Sequence, residues 1–237
     1  MTGLMTTKRF DLSNVSVMIA TPVHGQFPAQ TTVAFVDTAI LLRDKGVSFE
    51  LKVQLGCSII QQARNYLADA FLQSQATHLF MIDADMAWEA SDFLKVLALA
   101  TVMPAVAAAY PVKEDTETWV ICNNGDCAAN EYGCLPVDGL GLGFACVQRQ
   151  VIEDLAAGAP LLRYAGREHQ VHEVFRTGEL RGYFLGEDIA FWHDAQQLGH
   201  QLWLEPHVRL RHLGIKEYSG DLLAALDKMK KPALALA

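Results

Sequence analysis

Two aspartates one residue apart, Asp83 and Asp85, follow a short apolar run from Leu79 to Ile82. A run of that length reads as a buried strand, and its carboxyl end is where an α/β sheet opens into a crevice. Carboxylates placed there face a ligand instead of the core. Two oxygen donors at this spacing suit a hard divalent cation, Mn2+ or Mg2+, and a cation held there neutralises a diphosphate. The natural guest is a nucleotide diphosphate. Asp-x-Asp also ends strands and solvates turns with no ligand present, so the rest of the chain must decide between the two uses.

Other residues with chemical potential sit at comparable places. Thr21-Pro22-Val23-His24-Gly25 is a turn-forming sequence behind the β-rich run Val15 to Ala20, and it faces the same crevice. Ser58-Ile59-Ile60-Gln61 matches a capping box; the helix it opens has Ile59, Ala63, Tyr66, Leu67, Ala70 and Phe71 on one face. Arg64 and Asn65 lie near its front, off that face, where an arginine is equally a solvated helix residue. Gly141 and Gly143 lead into a strand from Phe144 to Val147, and their small size lets backbone approach a ligand closely. The surroundings lack the strand-to-helix context of a dinucleotide phosphate loop. Gly186-Glu187-Asp188 opens a helix that runs to Leu198-Gly199, and acids in a first turn are favoured by the helix dipole whether or not they react. His212, two residues before Gly214, completes the set; a lone histidine is usually structural.

These residues need a scaffold, and the intervening pattern supplies one. Val33, Val36, Ile40 and Leu41 recur at helical spacing between Pro28 and Asp44, with Gly46 at the C-terminal cap and a second strand from Val47 to Val53. The capping-box helix then leads into the aspartate strand, which gives βαβαβ order through residue 85 and predicts a parallel sheet. Ser91-Asp92 starts a helix to about Ala100, and Ala105 to Tyr110 reads as a strand. Residues 113 to 138, with Asn123-Asn124-Gly125-Asp126, read as a hairpin or surface excursion. Gln201 to Leu204 is the last strand, Arg209 to His212 leads into Gly214, and an amphipathic helix with Lys228, Lys230 and Lys231 follows Asp221. The expected architecture is one α/β domain over residues 1–237, with its core at about 15–220, a helical tail over 221–237, and a mostly parallel sheet flanked by helices.

Composition limits what such a domain does. At 237 residues, 51% hydrophobic and 19% charged, the chain is long and apolar enough to bury a core. A net charge of −8 disfavours holding nucleic acid by bulk electrostatics, and the five arginines between residues 149 and 181 are matched by five acids. The uncharged run Val96 to Val112 is broken by Pro104 and Pro111, which fits a helix end, a turn and a strand better than a membrane span. Met1 to Asn14 are mixed and polar with no secretory pattern, so a cytoplasmic location and reduced thiols are expected for the five cysteines. Cys122, Cys127 and Cys134 cluster, but without a CxxC pair or a nearby fourth ligand they do not make a structural zinc site.

In order and spacing, Thr21-Pro22, Arg64-Asn65, Asp83-Ala84-Asp85, Gly141-x-Gly143, Glu187-Asp188 and His212-x-Gly214 resemble glycosyltransferases of the type-A fold, closest to the family-2-like group with small bacterial and phage members. The resemblance spans about residues 15 to 220. It implies a nucleotide-diphospho-sugar transferase fold, with Thr21 and Pro22 against base and ribose and Arg64 near the nucleotide. Asp83 would contact ribose or a metal-bound water, Asp85 would ligate Mn2+ or Mg2+, and His212 would be a further metal ligand. Asp188 would be the general base of an inverting displacement, with Glu187 as the fallback. Where the family commonly has Asp-Asp-x-Ser after the second strand, this chain has Gln54-Leu55-Gly56-Cys57-Ser58, which leaves the base open and UDP only a default. The acceptor is a hydroxyl on a glycan, a protein, a small molecule or a modified nucleobase, and oligomeric state is not legible.

Two other readings are open at this stage. A sugar-phosphate nucleotidyltransferase shares topology and metal, but its Gly-x-Gly-Thr-Arg loop and lysine are not supplied by Thr21 to Gly25. A non-catalytic nucleotide-sugar-binding module is disfavoured by the presence of every acidic motif.

Overall fold

The βαβαβ start is present in the computed structural model, which describes residues 10–230 apart from 124, 126, 127, 166, 167, 181 and 215. Strands β1 (Ser16–Val23), β2 (Ser48–Leu55) and β3 (His78–Ile82) lie parallel in the order β2-β1-β3, connected by α1 (Ala29–Asp44) and α2 (Ile60–Gln73). Helix α1 stops in a Schellman motif: Val47 N–H donates to Leu42 O, Gly46 N–H to Arg43 O, and Gly46 has φ +70°. Only glycine enters that left-handed turn without steric cost, which is why the chain reverses there into β2.

After the aspartates come β4 (Met86–Ala87), α3 (Ala90–Ala100) and β5 (Ala105–Ala107), then the short strands β6 (Ile121–Cys122), β7 (Leu135–Val137) and β8 (Gly139–Leu140). Strand β9 (Phe144–Gln148) runs into α4 (Arg149–Gly158), and two small hairpins follow, β10 (Leu161–Leu162) with β11 (Val171–His172) and β12 (Gly178–Leu180) with β13 (Tyr183–Leu185). Helix α5 (Glu187–Gln197), β14 (Leu202–Leu204), β15 (Arg211–His212), β16 (Tyr218–Ser219) and α6 (Leu222–Lys230) complete the order. The main sheet is β2-β1-β3-β9-β5-β14-β7. Strand β9 is antiparallel to both β3 and β5, and β7 to β14, while β5 and β14 are parallel. So β2, β1, β3, β5 and β14 point one way, and their carboxyl ends open on one side, as expected of a mostly parallel sheet flanked by helices.

Side chains alternate across this sheet with the period of two that strands impose. Val17, Ile19, Phe80 and Ile82 pack with Phe93 and Phe144 on one face; Met18, Ala20, Leu79 and Met81 pack with Phe71, Phe191 and Trp192 on the other. Each fully buried Leu or Phe contributes about 1.5–3 kcal/mol, so the sheet ends stand on a stiff base. Phe80 and Phe93 stack with centroids 4.1 Å apart.

Several expectations are corrected. Helix α1 buries Thr31, Ala34, Thr38 and Leu42, whereas Val33, Val36 and Ile40 are 58%, 53% and 44% exposed. The polar stripe is tolerated inside because Thr31 Oγ1 donates to Met86 O at 2.7 Å and Trp88 Nε1–H donates to Thr38 Oγ1 at 2.9 Å. The capping box does not form: Ile59 is the N-cap, no side chain caps the helix, and Ser58 lies one residue too early. Ile59 leaves the predicted apolar face and is exposed. Strand β1 continues through Thr21 and Pro22 to Val23 before the turn, and β5 stops at Ala107, short of Tyr110. The excursion of residues 113–138 returns β7 to the main sheet.

Arg149 is a capping residue for the end of α2, donating to Phe71 O, Ser74 O and Ala76 O, and Arg176 pairs with Asp194. Cys134 is buried with its thiol 3.8 Å from Glu205, and burial pushes it up to about 12; Cys122 lies elsewhere, near Asp188. Cys127, Arg167, Arg181, Asn124, Asp126 and Lys231 lie outside the described residues. Among the described helices none is long and apolar enough to cross a membrane.

Candidate active site

Strand β9 is the element that assembles the site, because its insertion between β3 and β5 fixes what lies beside the aspartates. Ile82 pairs with Phe144, and one step on Asp83 N–H donates to Gly143 O at 3.1 Å. Gly143 N–H in turn donates to the Tyr110 hydroxyl at 3.1 Å. A Cβ on Gly141 or Gly143 would come within 2.3 or 2.7 Å of that hydroxyl, so the close approach these glycines permit is to the Tyr110 ring. Burial pushes the Tyr110 phenol well above its usual range, which keeps it a neutral donor and acceptor.

Helix α2 supplies Arg64, which is 2% exposed and therefore no solvated helix residue. Its Nη2 donates to Asp83 Oδ1 at 2.8 Å, and its Nε lies 3.4 Å from Glu187 Oε1. Burial opposes the guanidinium charge, but Asp83 and Glu187 outweigh it and raise the pKa further. Neither Arg64 Nε nor Nη1 has a hydrogen-bond partner among the described residues. Its neighbour Asn65 is fully buried, donating to Phe175 O and accepting from Phe175 N–H at 2.7 Å, which fixes the segment before α5 against α2.

Glu187 and Asp188 begin α5, as the sequence suggests. Burial raises the Glu187 pKa despite the opposing Arg64 charge and the helix terminus, so the dipole alone does not set its protonation. Asp188 Oδ1 accepts from Ile189 N–H at 2.7 Å, and no ion pair engages it among the described residues. Of the two acids it is the one without a cation partner.

Next to Tyr110, β4 pairs with β15 so that Met86 faces His212, and Leu213 N–H donates to Asp85 O at 2.7 Å. That register sets His212 Nε2 3.4 Å from Asp85 Oδ2. The His212 Nδ1–H donates to Pro111 O at 2.9 Å, a bond that holds the ring with Nε2 on the Asp85 side. The Tyr110 and His212 rings meet edge to face at 5.1 Å. Lys113, two residues beyond Pro111, donates to the same Asp85 oxygen. Burial pushes Asp85 up, but His212 and Lys113 together hold it down at about 2.

Asp85 and His212 are thus brought together, with Lys113 between loop and site, while Asp83 is given to Arg64. Thr21 is fully buried near the end of β1, its hydroxyl without a hydrogen-bond partner among the described residues, and Pro22 beside it is buried too. Tyr110 and Lys113 join the site without a motif of their own; the signal for them is position, since both follow the apolar run that starts at Ala105, as Asp83 follows Leu79 to Ile82. An apolar cavity of about 680 Å3 between Trp119, Ile121, Leu135 and α6 shares no lining residue with this cluster. Volume therefore does not mark the chemistry here.

A carboxylate and an imidazole nitrogen whose second nitrogen is anchored form a fit, if sparse, donor pair for Mn2+ or Mg2+. Among the described residues no group of three or more His, Cys, Asp or Glu is arranged to hold a metal. Such a pair needs the remaining ligands from water and substrate phosphate, as is usual for these cations.

No family model and no curated protein matches this chain. Among solved structures, A197 from STIV aligns with a TM-score of 0.56 at 17% identity, over 84% of this chain and 86% of that one. The two share a fold. A structure of GalNAc-T7 with UDP, GalNAc and Mn2+ aligns at a TM-score of 0.48 and 11% identity, over 86% of this chain and 44% of that one.

The ion pairs of Asp85 have a consequence in acid. Its folded pKa of about 2 lies below the ordinary 3.8, so its contribution to stability is complete above the ordinary value and is lost as pH falls from there to about 2. Asp85→Asn in metal-free protein is expected to flatten this part of the stability profile, measured by urea unfolding between roughly pH 2 and pH 5. An unchanged acid slope in the folded variant would remove Asp85 from these contacts.

Proposed function

We propose that this protein is a cation-dependent glycosyltransferase that moves a sugar from a nucleotide-diphosphate donor, UDP-linked by default, to a hydroxyl acceptor with inversion. The observation that carries the reading is the Asp85–His212 pair, with His212 Nδ1 anchored on Pro111 and its ring edge to face with Tyr110, whose phenol also feels the Asp188 charge. A metal bound by Asp85 and His212 would supply charge neutralisation for the departing diphosphate. Lys113 adds a cation at the same carboxylate, where it would help balance the phosphate charge as it develops. Arg64 stays buried and orients Asp83 and Glu187, while Thr21 and Pro22, buried near the end of β1, back the site from beneath. Asp188 accepts the acceptor's proton from the other side of the cluster.

The test is titration calorimetry of UDP and GDP with and without Mn2+. Asp85→Ala and His212→Ala are expected to keep the fold and lose the Mn2+-dependent part of nucleotide affinity, because each removes one of two protein ligands. Unchanged Mn2+-dependent affinity in both folded variants would sink the cation site. A His212→Ala protein that melts several degrees lower with unaltered nucleotide binding would assign His212 to packing alone.

A further inference from the structure

The exposed large apolar side chains among the described residues concentrate between residues 33 and 60, on α1, on β2 and at the start of α2. Strand β2 is an edge of the main sheet, eight residues long, and its hydrogen-bonding rim is uncovered along Ser48–Lys52. The other edge, β7, has three residues. A long, open, partly apolar edge is the feature natural sheets blunt or pair. Here the sequence does not blunt it: Glu50 and Lys52 are the only charges on the strand, and they have opposite sign.

The register with β1 sorts the faces. Phe49 and Leu51 pair with Val17 and Ile19, whose side chains lie on the face that α1 covers, and Glu50 and Lys52 pair with Met18 and Ala20 on the other. Phe49 and Leu51 are 36% and 47% exposed, and Val36 and Ile40 of α1 are exposed as well.

We infer that β2 is a dimerisation edge, pairing antiparallel with β2 of a second copy of this chain about a two-fold axis at Leu51. The occupant is chosen by charge. With Leu51 opposite its own counterpart, Glu50 faces Lys52 of the second copy and Lys52 faces Glu50, so two complementary ion pairs form at once on one face. On the other face Phe49 meets the second copy's Val53, and Leu51 meets Leu51. Opposite-charge and apolar cross-strand pairs both stabilise an antiparallel ladder, and like charges directly opposite destabilise it. A strand whose sequence satisfies every one of these positions against itself is self-complementary, which a random partner strand would not match. The result is one sheet continuous through both copies, with the two α1 helices side by side over its apolar face. This inference is independent of the proposed activity.

Charge reversal tests it, since both residues are exposed and neither touches the core. Sedimentation velocity of the full chain at micromolar concentration is expected to show a dimer for the wild type. Glu50→Lys and Lys52→Glu each place like charges opposite each other, and each is expected to raise the dissociation constant at least about tenfold. The double variant carrying both changes swaps the signs and restores the dimer. An equimolar mixture of the two single variants, each monomeric alone, is expected to form a heterodimer. A monomeric wild type at about 100 µM overturns the inference, and so does a dimer that the single reversals leave intact or the double reversal fails to restore.

Discussion

Asp188→Asn is expected to retain donor and cation binding while transfer falls by about 10² to 10⁴, the usual contribution of a general base. The substitution keeps shape and leaves an acceptor for Ile189 N–H, so the start of α5 is preserved. What it deletes is the capacity to take a proton. Geometry favours Asp188 over its neighbour because Glu187 is half-buried, ion-paired with Arg64 and raised in pKa by its burial, whereas no Lys, Arg or His among the described residues forms an ion pair with Asp188. Glu187→Gln is expected to act on stability and on the orientation of Arg64 more than on the proton transfer. Measuring initial transfer rates with a nucleotide sugar at saturating Mn2+, alongside calorimetric donor affinity, separates binding from chemistry. Near-normal transfer by Asp188→Asn with an inactive Glu187→Gln would move the base back one residue, and near-normal transfer by both would end the inverting scheme.

Much of this arrangement is legible in the residues, and the illegible parts share a cause. The order of strands through residue 85 follows from local apolar runs, and the placement of Asp83 and Asp85 follows from one topological rule. Gly46 announces its turn because only its φ of +70° satisfies the geometry that closes α1. By contrast, the buried stripe of α1 contains Thr31 and Thr38, which are tolerated only because Met86 and Trp88 arrive with partners. Nothing within α1 reports that. Arg64 reads as solvated until Asp83, 19 residues on, and Glu187 converge on it. His212 finds Asp85 through the pairing of β4 with β15, two strands of two residues each, too short to leave a periodic signal. Local pattern reports elements well; pairing between distant short elements is set by packing, and the site is built from such pairings.

Arg64→Met is expected to destabilise the protein by about 3–5 kcal/mol at neutral pH, the cost of breaking a buried ion pair by removing one partner. Methionine fills most of the volume, so the loss is electrostatic: Asp83 and Glu187, with side chains 25% and 15% exposed, are left facing each other across a site with no counter-charge. Replacing all three, Arg64→Met with Asp83→Asn and Glu187→Gln, removes the stranded charges and is expected to recover most of the stability, since a neutral well-packed substitute for a buried ion pair is often no worse than the pair. The cost also depends on pH with a definite sign. Burial already raises the Glu187 pKa in the fold, and Arg64 lowers it. Without Arg64 the folded value rises further, so the folded variant binds a proton over a wider range than the unfolded chain does. A carboxylate shifted this way leaves stability intact below its unfolded value of about 4.3 and forfeits it as pH rises toward the folded value. The penalty of Arg64→Met should therefore be smaller at about pH 4 than at pH 7, by urea unfolding of both proteins at each pH. A penalty under about 1 kcal/mol at pH 7, or one equal at the two pH values, would mean that Arg64 is not the counter-charge that holds Asp83 and Glu187 together at the mouth of the sheet.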